Sequence, residues 1–192
     1  GAAADEAAVA VRWLQAQGYR VVVAGDSAGG FLATELALRA VQRDDSPSLA
    51  GAVGLHPYLD FNCDLPAHSR NRGRCLLHRN FAQLGAKSYL RDVGRDAGRG
   101  DVLGSEEESG ALAALAPGSI FFVRGLYDIL SDDGPQLQQR ARDAGAPENA
   151  ISIVEVGGTL GVHDGLLLPG ATSIEADAAF DAVARYLQQR LG

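Results

Sequence analysis

Apolar positions along the chain switch between a helical and a strand period, and the switches divide it into alternating elements. From about Ala4 to Gln17, Val9, Trp13 and Leu14 recur at helical spacing among alanines, with Asp5 and Glu6 near the beginning and Gly18 at the place of a C-terminal cap. Tyr19 to Ala24 reads as a short buried strand. Phe31 to about Gln42 reads as a helix with Leu32, Leu36 and Ala40 on one face. Leu49 to Leu55 is a second apolar run of strand length, and Pro57 prevents its continuing as a paired central strand. A third run, Ser119 to Val123, precedes a helix from about Asp132 to Ala144 that is acidic in its first turn and stopped by Gly145. Ile151 to Val156 alternates as a fourth strand, and the last helix starts at a capping box, Thr172 with Glu175, burying Ala179, Phe180, Val183 and Leu187.

Between Asn62 and about Pro117 the texture changes. This segment is arginine-rich and then acidic at Glu106-Glu107-Glu108, and only the spacing of Leu77, Phe81 and Leu84 suggests a helix. Loops and short helices are expected over 62–117. Strands alternating with helices imply an α/β fold with a mostly parallel sheet and flanking helices, in which ligands bind beyond the carboxyl ends of the strands. At 192 residues the chain reads as one domain, 1–192. No apolar run is long enough to span a bilayer. A net charge of -7 removes the electrostatic basis for general binding to nucleic acid or anionic lipid. The chain has no methionine and opens on Gly1 inside a helical pattern, so residues upstream of a natural polypeptide are expected to be missing.

The candidate chemistry sits at strand ends. Gly25-Asp26-Ser27-Ala28-Gly29 is a G-x-S-x-G pattern between a strand and a helix, the context of a turn that exposes a nucleophilic serine. The two pattern glycines are expected because a Cβ at either would collide with the neighbouring strand and helix. A serine hydroxyl needs a histidine to take its proton, and the imidazole needs a carboxylate to fix its tautomer. Asp128 and His163 follow the third and fourth strands and offer one of each, in the order Ser27, Asp128, His163. Chymotrypsin-like proteases share a Gly-Asp-Ser-Gly-Gly run, but there the histidine and aspartate precede the serine and no helix follows it. Among the remaining residues, Asp26 reads as a turn residue and His56 as structural or pocket-lining. Arg70, Arg72, Arg74 and Arg79 read as a solvated face. Cys63, His68, Cys75 and His78 are all of zinc-ligand type, but their spacing matches no common zinc pattern and two cysteines make no disulfide framework.

Gly25-Asp26-Ser27-Ala28-Gly29-Gly30 resembles the signature of the hormone-sensitive-lipase-like carboxylesterases, a branch of the α/β-hydrolases. Asp128-Ile129-Leu130-Ser131-Asp132-Asp133-Gly134 is similar to that family's Asp-Pro-Leu-Arg-Asp-Glu-Gly, and Tyr58-Leu59-Asp60 after Pro57 to its Pro-x-Leu-Asp segment. The resemblance implies the C-terminal portion of an α/β-hydrolase fold and hydrolysis of small-molecule carboxylic esters through an acyl-enzyme. Ser27 would be the nucleophile, His163 the base and Asp128, rather than Asp132 or Asp133, the acid, with no cofactor and no metal. The family's His-Gly-Phe is His163-Asp164-Gly165 here, and its His-Gly-Gly-Gly oxyanion motif has no counterpart. Only the Ala28 N–H carries over as an oxyanion donor. Loss of one such donor costs ~10²–10³ in turnover, so the alternatives are a catalytically impaired fragment or a non-catalytic ligand-binding or scaffold protein of the same fold.

Overall fold

The computed structural model of the chain describes residues 2–42, 46–92, 103, 109–158, 161–163, 165 and 174–192. Four strands, β1 (Val22–Asp26), β2 (Gly51–Leu55), β3 (Ile120–Gly125) and β4 (Ile151–Val156), form one sheet in the order β1-β2-β3-β4, with every neighbouring pair parallel. Parallel neighbours need crossovers, and helices supply them. Helix α1 (Ala2–Ala16) precedes β1 and α2 (Ala28–Gln42) joins β1 to β2. Helices α3 (Ala67–Arg70), α4 (Arg79–Asp92) and α5 (Ser109–Ala113) lie between β2 and β3. Helix α6 (Asp133–Asp143) joins β3 to β4, and α7 (Ile174–Leu191) follows β4. The chain thus adopts the α/β class and parallel sheet that its alternating pattern implies.

Successive side chains of a strand point to opposite faces, so the sheet feeds two cores. Ala52, Ile120, Phe122 and Ile151 pack with Phe31 and Leu38 of α2, Leu112 of α5 and Leu137 of α6. Val53, Phe121, Val123 and Val156 pack on the other face against Ala176, Ala179 and Tyr186 of α7. Strand β3 is covered on both sides, which is why its sequence is a continuous apolar run. Tyr186 also reaches the sheet backbone, its hydroxyl accepting the Ala52 N–H at 3.2 Å and donating to the Gly118 carbonyl at 3.0 Å. Only a glycine at 51 leaves room for it, since a Cβ there would lie 2.1 Å from Tyr186 Oη.

Several elements differ in detail from the hydrophobic pattern. In α1 the buried stripe is Ala4, Ala8 and Val11, whereas Val9 and Trp13 are 59% and 64% exposed. This helix packs on α2, where small residues let two backbones approach, and an Asp5–Arg39 ion pair at 2.7 Å spans the contact. Strand β1 runs to Asp26 rather than stopping at Ala24, because Asp26 is in register with Leu55, and Tyr19 is exposed. Phe180 of α7 is exposed too, since burial follows Ala176, Ala179 and Tyr186 and leaves it on the flank of that stripe. The expected capping box lies outside the described residues at Thr172, as does the side chain of Glu175. The acidic run 106–108 also lies outside them. The segment 62–117 is more regular than expected, because α4 is a 14-residue helix with Ala82, Ala86 and Leu90 buried. Phe81 and Leu84, whose spacing with Leu77 suggested a helix here, lie on it but are mostly exposed.

Gly51→Ala is expected to lower stability by about 2 kcal/mol, because Tyr186 must be displaced from its backbone partners. Tyr186→Phe, which removes only the hydroxyl, should cost about 1 kcal/mol. Urea denaturation followed by circular dichroism measures both.

Candidate active site

Ser27 makes the turn between β1 and α2 alone. Its φ is 53°, in the left-handed region that a residue with a side chain rarely adopts. Three backbone hydrogen bonds hold it there: its N–H donates to the Leu55 carbonyl at 2.9 Å, and its carbonyl accepts the N–H groups of Phe31 at 3.2 Å and Tyr58 at 3.1 Å. Gly25 is required, because a Cβ would sit 2.1 Å from the Gly29 carbonyl oxygen. Gly29 is not required in this way, since a Cβ there meets nothing within 4 Å. The tight glycine after the serine is Gly30, whose Cβ would lie 3.0 Å from Pro57.

Asp128 stands in the turn after β3 and is 1% exposed. Its Oδ1 accepts the Leu130 N–H at 2.9 Å, and its Oδ2 lies 2.8 Å from His163 Nδ1. Burial alone pushes this carboxyl up. Hydrogen bonds from His163 and His56, the attraction of His163 and the Leu130 N–H together outweigh it and hold the group down at about 2. Asn71, also 1% exposed, fixes the turn from outside by donating its Nδ2 to the carbonyls of Asp128 at 2.7 Å and Leu126 at 3.0 Å.

His163 follows β4 through a glycine-rich turn that packs backbone to backbone on the Asp128 turn. The Tyr127 N–H donates to the Gly161 carbonyl at 2.6 Å, and a Cβ on Gly125 would come within 2.5 Å of that same oxygen. The far ring nitrogen, His163 Nε2, lies 3.0 Å from Ser27 Oγ. The three residues singled out in the sequence therefore form one hydrogen-bonded line from Ser27 through His163 to Asp128. Ala28 opens α2 next to the serine. Both line a cavity of about 270 Å³ whose other walls are apolar, among them Phe31, Tyr58, Phe61, Phe81 and Tyr89.

Three further residues shape this neighbourhood: His56, read from the sequence only as structural or pocket-lining, and Asn71 and Asp133, to which the sequence gave no part in the site. His56 closes β2 with a φ of 47° and places Nδ1 3.1 Å from Asp128 Oδ2. Its position beyond a strand's carboxyl end, beside the strand that carries Asp128, was the available signal. Asn71 gave none. Asp133 is completely buried, and its Oδ2 accepts the N–H groups of Leu59 at 2.7 Å and Asp60 at 2.9 Å, joining the segment after β2 to the start of α6. Burial raises its carboxyl well above the usual range, against the pull of those two N–H groups.

The arginines of the middle segment are not simply a solvated face. Arg70 forks onto Asp132 at 2.7 and 3.2 Å, Arg79 pairs with Asp64 at 2.9 Å, and the Arg74 guanidinium lies 5.5 Å from the Tyr127 ring centre. The cysteine and histidine candidates go to separate partners: Cys63 Sγ to Tyr58 Oη, Cys75 Sγ to the Leu77 carbonyl, His78 Nδ1 to the Asn80 N–H, and His68 between Asp60 and Asp133. Among the described residues, the ligand-type atoms that gather within 4.8 Å of one another belong to His56, Asp128 and His163, where both Nδ1 atoms already engage the carboxylate.

A family model described as alpha/beta hydrolase fold matches residues 1–157. The chain belongs to that family. It is 33% identical over 183 residues to an acetyl-hydrolase of Streptomyces hygroscopicus, covering 93% of this chain and 58% of the relative. A stretch of 62 residues is 47% identical to the carboxylesterase/phospholipase LipF of Mycobacterium tuberculosis, covering 31% of this chain and 16% of the relative. Among solved structures, a thermostable esterase of Pseudomonas putida superposes with a TM-score of 0.81 at 23% identity, over 98% of this chain and 59% of that one. An esterase of the bacterial hormone-sensitive lipase family does so with a TM-score of 0.76 at 24% identity, over 98% and 60%. The family match and the acetyl-hydrolase relative agree with the α/β-hydrolase resemblance that the GDSAGG and DILSDDG segments carry. The chain spans somewhat under two thirds of the length of these full-coverage relatives.

The buried carboxylate makes stability depend on pH. Asp128 is held at about 2 in the folded chain against an ordinary 3.8, so its contribution is complete above pH 3.8 and is lost as pH falls toward 2. Asp128→Asn should remove about 2 kcal/mol of acid-sensitive stability, measured as a smaller decline in urea midpoint between pH 5 and pH 2.5 than the parent chain shows.

Proposed function

We propose that the chain hydrolyses carboxylic esters through an acyl-enzyme. The observation that carries this reading is the line Ser27 Oγ, His163 Nε2 at 3.0 Å, then His163 Nδ1 to Asp128 Oδ2 at 2.8 Å, starting from a serine strained at the end of a parallel strand. His163 takes the hydroxyl proton as Ser27 Oγ bonds to the ester carbonyl carbon. The tetrahedral oxyanion meets the Ala28 N–H, which lies at the positive end of α2. As the bond to the alcohol oxygen breaks, His163 returns the proton to the leaving alkoxide. Water then repeats the sequence on the acyl-serine and releases the acid. Asp128 orients the imidazole and stabilises its cation without taking the proton.

The substrate class follows from the cavity. Its volume of about 270 Å³ and mostly apolar walls beside Ser27 suit the acyl part of a small ester, whose carbons would displace water from Phe31, Phe61 and Tyr89. Segment 62–117 contributes Leu77, Phe81, Ala82, Gly85, Ala86 and Tyr89 to that wall, so α4 is the element that shapes the acyl site. The steps call on no cofactor. One oxyanion donor is assigned within this chain, and each donor of this kind is worth ~10²–10³ in turnover. Acylation and deacylation both pass through an oxyanion at this donor, so both steps are expected to be slow.

A fluorophosphonate probe should label the chain at Ser27 and leave Ser27→Ala unlabelled; labelling that persists in Ser27→Ala overturns the nucleophile assignment. His163→Ala and Asp128→Ala should each lower p-nitrophenyl acetate hydrolysis at least ~10³-fold, and rates within a few-fold of the parent would dismiss the base and acid.

A further inference from the structure

We propose that His56 is a positioning residue for the proposed ester hydrolysis: a second histidine that shares the Asp128 carboxylate with His163, locks it in place and moderates the basicity it confers on His163. The inference rests on the reading of Ser27, His163 and Asp128 given above.

A carboxylate only accepts hydrogen bonds, so the 3.1 Å contact between His56 Nδ1 and Asp128 Oδ2 requires the hydrogen on Nδ1. The other nitrogen, Nε2, is then a lone pair. It is buried and meets no hydrogen-bond partner among the described residues, so a hydrogen there would have no acceptor. His56 thus acts as a one-sided donor whose side chain is sealed from water. Its backbone is committed to that purpose, because the N–H donates to the Val123 carbonyl at 2.8 Å while φ is held at 47°. A strained non-glycine residue at a strand end persists only where its surroundings fix it.

Three donors consequently surround one carboxylate. Leu130 N–H takes Oδ1, and the two imidazoles share Oδ2 with their rings nearly perpendicular and 5.9 Å apart. The carboxylate cannot rotate without breaking at least one of these bonds. Each donor also withdraws part of the negative charge that His163 would otherwise meet. An imidazolium facing a shared carboxylate is held less tightly than one facing an undivided carboxylate. His163 therefore remains an unprotonated base to lower pH than it would without His56. Among the described residues, Asp133 of α6 and His68 of α3 also act on Asp128 electrostatically. On the serine side His163 Nε2 lies 3.0 Å from Ser27 Oγ.

The test follows the ring titration of His163 by NMR in the ¹³C,¹⁵N-histidine-labelled chain, which requires no turnover. His56→Leu removes the donor. His56→Gln keeps size and polarity but carries its amide beyond the Nδ1 position, and His56→Asn places an N–H close to that position. His56→Leu and His56→Gln should raise the His163 midpoint by about 0.5–1 pH unit, and His56→Asn should return it most of the way. Where hydrolysis is measurable, the acid limb of kcat/KM should move by the same amount with KM unchanged. A His163 midpoint that stays the same in folded His56→Gln and His56→Leu overturns the proposal, as does an Asn variant that behaves like Gln. Asp128→Asn separates the two readings. If it leaves His163 titration unchanged, the acid assignment itself fails; if it alters titration while the His56 variants do not, only the role of His56 fails.

Discussion

A negative charge almost sealed from water is maintained only where donors surround it, and the rest of this site is arranged to meet that condition at Asp128. Unpaired, a carboxylate that is 1% exposed would stay protonated and could not hold a histidine in its working tautomer. Its donors come from three separate places in the chain: His56 after β2, Leu130 beyond β3, and His163 after β4. The carboxylate is therefore a junction between the ends of β2, β3 and β4, and the sheet order β1-β2-β3-β4 brings those ends side by side. Truncating any one donor leaves the charge underpaired, so its cost reaches beyond the bond that is lost.

The serine end obeys a different constraint, one of backbone rather than charge. A residue held at positive φ costs of order 1–3 kcal/mol, and it is offset by the surrounding sheet and α2 backbone, to which the Ser27 N–H and carbonyl are both bonded. Gly25 and Gly30 make the turn by what they lack, letting the helix backbone lie against β1 and Pro57. The outcome is a hydroxyl at the same end of the sheet as the carboxylate, 3.0 Å from the imidazole that bridges them. Neither constraint substitutes for the other: the elbow sets where the serine hydroxyl is, and the buried charge sets which way the imidazole faces.

What could be read in the sequence was local. Ser27, Asp128 and His163 each follow an apolar run of strand length, and their order along the chain is enough to suggest that they meet. Residues whose meaning depends on a distant partner were not legible in that way. His56 is 72 positions from Asp128, and Asn71 is 57 from the carbonyl it holds. Gly29 looked obligatory because it belongs to a five-residue pattern, yet the crowded position is Gly30, a fact that depends on where Pro57 packs. Helix α1 shows the same limit. Periodicity identified the helix but gave the large residues to the core, whereas its packing against α2 selects the alanines.

Helix α4 extends this argument to specificity. Its Ala82 and Ala86 are buried against the main core, and they also line the cavity beside Ser27. Phe81 and Gly85, each one residue before these alanines, turn to the same cavity from positions that carry little of the packing, since both are exposed. One helix thus has a stripe that fixes its place and an adjoining stripe that bounds the cavity beside Ser27. Substitution on the second stripe can reshape that space while the sheet, the elbow and the carboxylate junction stay as they are. Under the proposed ester hydrolysis, the groups that would make the chemistry are fixed by the strand ends, and those that would choose among esters sit on the exposed stripe of a helix whose buried stripe is anchored in the core.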